Sequence, residues 1–352
     1  MSNPNNYQML TLAREARGLT GRGLERISGV PQSTISKIEH GNRGLSDADV
    51  AKFAPVLNFP PSFFCRSEAQ YGQGTVCHHR KRQSVPMTKL RQIHASMNIM
   101  RMATCDLLRG VEVNAPHDFP RMEIDDFGSP QQIAELARQT WQLPLGPIRS
   151  MTAIIEAAGG VIVPSDFGTD KLDAISQRPA GQPSFFFVST TAPGDRLRFS
   201  LAHELGHIIM HTAPAPDQES EADEFAAEFL MPAREIRPQL TGLTMAKLAD
   251  LKRHWKVAMQ ALVMRAHDLG TITERQRRSW FMRFNQLGYK KNEPVQIPRE
   301  EPLLLRRVID LHRTQHGYSD QELSRAACLT EEEFRATFGT GEHSRPKLRL
   351  LT

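Results

Sequence analysis

Long apolar runs are missing from this 352-residue chain; none approaches the ~18 residues of a membrane helix, so no segment is expected to span a bilayer. Cysteine is scarce. Cys65, Cys77, Cys105 and Cys328 are scattered without a C-x-x-C pair, which argues against a disulfide scaffold and suits a reducing cytoplasm. The opening M-S-N-P-N-N-Y-Q-M-L lacks the basic-then-apolar layout of a signal peptide. Tyrosine is rare as well, with four in the chain, so phenols for any catalytic role are few. What is present is ordinary globular composition, 39% hydrophobic and 24% charged, at a length that predicts about two or three folded units.

The net charge of +5 is unevenly spread. Between residues 66 and 110 stand Arg66, Arg80, Lys81, Arg82, Lys89, Arg91, Arg101 and Arg109 against Glu68 and Asp106. Such a stretch is either a patch for polyanions, nucleic acid first, or a solvated helix face. Cys77, His78 and His79 are adjacent residues with no second cluster to complete a tetrahedron, so they are not expected to bind metal. From Met87 to Val113 the apolar residues Leu90, Ile93, Met97, Met100, Leu107 and Leu108 recur at helical spacing and read as core.

Near the N-terminus, Met9 to Gly18 reads as a short helix. In T-G-R-G-L-E-R-I-S-G-V-P-Q-S-T-I-S-K-I-E-H-G-N-R (20–43), Leu24, Ile27 and Val30 can share a buried face, and Gly29 suits a sharp turn at φ > 0 between two helices. The next helix would turn Ile35 and Ile38 inward and Gln32, Ser33, Thr34 and Lys37 outward, the small polar set that a major groove admits. Gly41 ends it, and Ser46 can cap a further helix through Leu57. The segment, S-T-I-S-K-I-E-H-G-N-R above all, resembles the XRE/Cro-type helix-turn-helix family. That resemblance implies operator DNA as a partner, with Gln32, Ser33, Thr34, Lys37 and Arg43 as contacts. Gly21 stands where the family usually has Gln, and Glu25 where it usually has Ala. The other reading of these residues is a small helical bundle that docks onto protein.

The stretch H-E-L-G-H-I-I-M-H (203–211) poses the chemical question. Histidines at i and i+4 lie one turn apart on one helix face, so His203 and His207 can reach one ion. Glu204 projects roughly 100° from His203, the offset that in zinc peptidases puts the acid over the attacking water. Downstream, E-S-E-A-D-E-F-A-A-E-F-L-M-P (219–232) follows Pro214 and Pro216, which end the first helix and let the chain return. There Ala222, Phe225, Ala226, Phe229 and Leu230 form an apolar stripe. Glu219 can supply the third ligand, and Asp223, one turn on, can accept a hydrogen bond from the far nitrogen of a ligating histidine. Glu221 is the reserve ligand, but its direction on the helix is expected to turn it outward. His211, about 12 Å along the axis from His203, is too far to share the ion and is expected to play a structural or outer-sphere role.

Beyond H-E-x-x-H, the chain contains P-L-G-P-I-R (144–149), I-I-E-A-A-G-G-V-I-V (154–163), L-D-A-I-S (172–176) and S-F-F-F-V-S (184–189). D-R-L-R-F-S-L-A-H-E-L-G-H (195–207) and E-F-L-M-P (228–232) complete the set. In combination these resemble the ImmA/IrrE family of zinc metallopeptidases over roughly residues 128 to 240. The resemblance implies a small α+β catalytic domain, Zn²⁺ as cofactor, and a helix-turn-helix repressor as protein substrate. I-I-E-A-A-G-G-V-I-V reads as helix end, glycine turn and buried strand. S-F-F-F-V-S reads as a second strand whose edge could receive an extended peptide, with Asp173 and Ser176 in the turn or strand between. The oxyanion group is unassigned, with His211 and His254 as candidates.

Leu243 to Gly270 reads as two helices broken near Lys256, mostly core, with Lys252, Arg253 and Lys256 as candidate DNA contacts. K-K-N-E-P-V-Q-I-P-R-E-E-P follows as a charged linker, and Leu303 to Phe338 as a helical cap for a partner or for homodimerisation. The expected architecture is α+β and predominantly helical. Its parts are a helix-turn-helix domain (1–65), a basic helical linker (66–127), a metallopeptidase domain (128–240), a helix-turn-helix-like region (241–292) and a C-terminal helical cap (293–352). Two functions compete: a cytoplasmic zinc endopeptidase that controls transcription by cutting a repressor or itself, and a non-proteolytic XRE-type regulator that uses the metal fold as a sensor.

Overall fold

The computed structural model describes residues 5–71, 85–213, 215–290 and 292–339. Cys77, His78, His79, Arg80, Lys81, Arg82 and Pro214 lie outside the described residues. The fold is α+β and predominantly helical, and it divides into two compact units. One unites the described residues up to 71 with 85–112 and those from 304 onward; the other comprises the described residues of 113–303. These units cut across the expected boundaries. Region 66–127 is shared between them, and 241–292 and 293–303 both belong to the same unit as the region expected to be the metallopeptidase domain.

In the first unit, α1 (Tyr7–Ala16) is capped by Asn6 and buries Met9, Leu10, Leu12, Ala13 and Ala16. Helix α2 (Gly21–Ser28) ends at Gly29, whose φ of 70° turns the chain into α3 (Gln32–Glu39). Helix α3 has no side-chain cap from its own N-cap residue; instead Glu25 of α2 accepts from the Gln32 N–H at 3.1 Å. The acid in an alanine position thus joins the two helices of the motif. Leu24 and Val30 are buried, but Ile27 is 41% exposed, contrary to the expected three-residue face. Ser46 and Asp49 form a capping box at α4 (Asp47–Leu57).

Helix α5 (Met87–Leu108) packs on α1, with Gln92 donating to the Ala16 carbonyl. The basic stretch is therefore only partly a surface. Arg66 is buried in ion pairs with Glu68 and Asp106, and Arg101 is buried with its guanidinium over the Tyr71 ring. Helices Leu304–Gln315, Asp320–Ala326 and Glu331–Phe338 join this unit, with His312 Nε2 on the Leu107 carbonyl and Glu333 paired to Arg17. They are held by these polar contacts as well as by the buried Val308, Ile309, Leu323 and Phe334.

The second unit opens with α6 (Ile124–Phe127), α7 (Pro130–Thr140) and α8 (Met151–Ala157). Strands β1 (Val161–Ser165), β2 (Ala174–Gln177) and β3 (Phe185–Ser189) form a sheet in the order β1-β3-β2. Strand β3 runs parallel to β1 and antiparallel to β2, with Ser176 opposite Phe186. S-F-F-F-V-S is therefore the centre of the sheet, not its edge. All five β3 residues are buried, as a strand covered on both faces requires. The edge beside the histidine helix is β2.

Helix α9 (Gly194–Met210) lies against β2 and β3 and packs along α10 (Gln218–Leu230). A Cβ at Gly206 would stand 3.1 Å from the Phe225 ring, so this glycine permits the close approach of the two helices rather than clearing space for a ligand. After α11 (Ala233–Ile236), α12 (Met245–Trp255) and α13 (Met259–Asp268) place Trp255, Val257 and Leu262 in one core with Leu205 and Phe225, and α14 (Glu274–Gln286) adds Phe284.

Residues 293–303 are a pinned strap, not a free linker. Glu293 accepts from Lys252 Nζ at 2.6 Å and from the Met259 and Gln260 N–H groups that open α13. Glu300 pairs with Arg198 of α9 and accepts from Ser150 and Thr152 at the start of α8. Lys252 is therefore buried between Asp195 and Glu293, and Lys256 donates to the Arg149 carbonyl, so neither is a free DNA contact. Among the described residues no helix is long and apolar enough to cross a membrane.

Candidate metal centre

One turn of α9 separates His203 from His207, and their Nε2 atoms face each other at 3.1 Å. Glu219 sits in the first turn of α10, which runs back along α9 because Ala222 and Ala226 leave room. One of its carboxylate oxygens is 3.5 Å from His203 Nε2, the other 3.3 Å from His207 Nε2. A tetrahedral ion with ~2.0–2.1 Å bonds requires donor atoms about 3.3 Å apart, so this triangle has the dimensions of one face of a zinc site. The donor set, two imidazoles and a carboxylate, also suits zinc. Among the described residues these three alone form such a group.

The electrostatics point the same way. Burial pulls the His203 pKa down, yet hydrogen bonds to Asp223 and Glu219, with the charge of Glu204, hold it up at about 9. The surrounding carboxylates thus favour positive charge where the ring nitrogens converge. Asp223 Oδ1 lies 2.8 Å from His203 Nδ1, the far nitrogen of the ring. On the deeper histidine, Nδ1 of His207 lies 2.8 Å from His211 Nδ1, and His211 Nε2 lies 3.0 Å from Glu221 Oε2. Glu221, expected to face outward, is turned onto His211, because α10 passes alongside the end of α9.

Glu204 is buried, and its Oε2 accepts from the Ser176 backbone N–H at 2.7 Å and the Ser176 hydroxyl at 2.6 Å. The N–H that β2 leaves unused in the sheet is thus directed at the acid of H-E-x-x-H. Ser176 was placed by sequence only in a turn or strand; its position at the end of the L-D-A-I-S stretch was the available signal. His254, a candidate for the oxyanion, is exposed and packs edge-on against Trp255.

In the helix-turn-helix, Gln32, Ser33, Lys37 and Arg43 are exposed and Thr34 is half-buried, while Ile35 and Ile38 are inward. Arg43 reaches back to Asp49 at 2.9 Å, which orients its guanidinium beside the start of α4. Arg14 and Glu39 pair at 2.6 Å and tie α1 to the end of α3.

Two stretches of the chain match known families. Residues 155–267 match the family described as IrrE N-terminal-like domain, and residues 8–62 match a helix-turn-helix domain. No curated protein matches the chain. The two matched stretches contain, respectively, the His203–His207–Glu219 triangle and helices α1 to α4. Over these stretches the chain is similar to an IrrE N-terminal-like domain and to a helix-turn-helix domain, respectively.

Proposed function

We propose that the chain is a zinc-dependent, site-specific endopeptidase coupled to a DNA-binding domain, and that it regulates transcription by cutting a helix-turn-helix repressor, in trans or within itself. The observation that carries this reading is the triangle of His203 Nε2, His207 Nε2 and the Glu219 carboxylate, with edges of 3.1 to 3.5 Å. These three residues would hold the zinc ion. When bound, zinc supplies Lewis acidity that polarises a carbonyl and acidifies water.

Glu204 is the general base. Its carboxylate takes the proton of the attacking water and returns it to the leaving amine as the peptide bond breaks. Ser176 holds one oxygen of that carboxylate through two hydrogen bonds, which directs the side chain. Strand β2, as the edge beside α9, offers an extended substrate segment a place to align. Operator DNA is read by the exposed start of α3 through Gln32, Ser33 and Thr34, while Lys37 and Arg43 contact phosphate.

The test incubates zinc-loaded protein alone and with candidate helix-turn-helix repressors, and follows fragments by mass spectrometry. Wild type is expected to yield one discrete cut, and Glu204→Gln to retain zinc and yield none. Full-rate cleavage by Glu204→Gln contradicts the mechanism. Stoichiometric zinc with every candidate intact would favour a sensor instead.

A further inference from the structure

His207 can present a lone pair at Nε2 only while its proton is on Nδ1. That N–H points at His211 Nδ1, 2.8 Å away, so His211 must accept there and carry its own proton on Nε2. His211 Nε2 in turn lies 3.0 Å from Glu221 Oε2, and an ionised carboxylate only accepts. Each link dictates the next: a carboxylate at one end leaves the His207 Nε2 lone pair bare at the other.

The backbone provides for this chain of donors. His211 follows the last residue of α9 with φ −108° and ψ 108°, outside the helix, and its ring lies 4.9 Å from that of His207, centroid to centroid. Glu221 sits two residues after Glu219 on α10, so one stretch of that helix supplies both a ligand and the end of the relay. The two rings are unequal in depth: the His207 side chain is 3% exposed and that of His203 14%. The shallower ring meets Asp223 directly, whereas the deeper one is reached through an intervening imidazole.

We infer that Glu221 and His211 are positioning residues that set the tautomer and orientation of His207 for zinc, as Asp223 does for His203. The inference rests on the zinc reading proposed above. Partners behind a ligating histidine generally contribute about 10–100-fold to metal affinity.

The experiment measures zinc affinity of the full-length protein by competition with a chromophoric chelator. Glu221→Ala and His211→Phe are each expected to weaken zinc by about tenfold or more, while Glu221→Gln, whose amide oxygen still accepts from His211 Nε2, loses less. Long-range ¹H–¹⁵N spectra of the zinc-loaded wild type are expected to show the His211 proton on Nε2. Equal losses for Gln and Ala would reduce Glu221 to its charge and overturn the relay, as would a proton on His211 Nδ1. Tight wild-type binding with both Glu221→Ala and His211→Phe unchanged sinks the relay alone; a wild type that binds no zinc sinks the metal reading with it. Melting curves of chelator-treated proteins identify any variant that fails to fold, in which case the remaining variants and the wild-type spectra decide.

Discussion

Among the described residues, histidines four apart occur on α9 and at the end of the helix Leu304–Gln315. In α9, His203 and His207 turn their Nε2 atoms to within 3.1 Å, and Glu219 closes the triangle from α10. At the C-terminal end of Leu304–Gln315, His312 and His316, the residue just past the helix, have the same spacing, but their ring centroids are 5.6 Å apart and His312 Nε2 is committed to the Leu107 carbonyl. Among the described residues no acid joins that second pair in a potential ligand group. The i, i+4 relation is thus far from sufficient for a two-histidine site. A carboxylate delivered by another helix, and hydrogen-bond partners on the far side of each ring, distinguish the candidate centre from a pair of packed rings.

Removing one ring from each pair breaks this comparison most directly. His203→Ala is expected to abolish stoichiometric zinc, and His316→Ala to leave it unchanged, as read by elemental analysis of the purified proteins. Next in size is the acid that does not ligate. Glu204→Gln should retain zinc while cleavage of a cognate repressor falls about 10²–10⁴-fold in single-turnover assays, the range for a lost general base.

The scaffold behind α9 offers a third test. Lys252→Ala leaves Asp195 and Glu293 buried without their shared cation, and removing one partner of a buried pair costs about 3–5 kcal/mol. Denaturant unfolding should register that loss, whereas His316→Ala, at an exposed position, should change stability little. The smallest effect is expected in the DNA-binding domain. Lys37→Ala should weaken operator binding evenly across sequences and lower the slope of log affinity against log salt by about one, measured by fluorescence anisotropy.

The parts of the site that sequence reading reached are those made by neighbours along the chain. His203 and His207 share a helical face by periodicity alone, and Glu219 with Asp223 follow after a proline-marked return. The turn at Gly29 and the cap at Ser46 are legible for the same reason, since each depends on a few consecutive residues. Ile27 shows the limit: its spacing fits the buried face, yet the packing of α2 leaves it outside.

Charge was read least well, because its meaning depends on partners distant in sequence. Arg66 and Lys252 look like surface cations in a basic protein. In the fold, Asp106 comes to the first, and Asp195 and Glu293 come to the second. The proline-bearing stretch 293–303 has the composition of a linker, and only the placement of α8, α9 and α13 gives Glu293 and Glu300 their partners.

Sequence alone therefore determined the chemical types: which imidazoles can meet, which acid can follow them, and which helices can turn against each other near a groove. Tertiary structure decided the rest. Strand order put β2 rather than β3 at the edge and brought Ser176 to Glu204, and the path of α10 turned Glu221 onto His211. The physical reason is range. Helical spacing and caps act within a few residues, whereas a hydrogen-bond partner across a sheet or between helices exists only once the chain has closed its long loops.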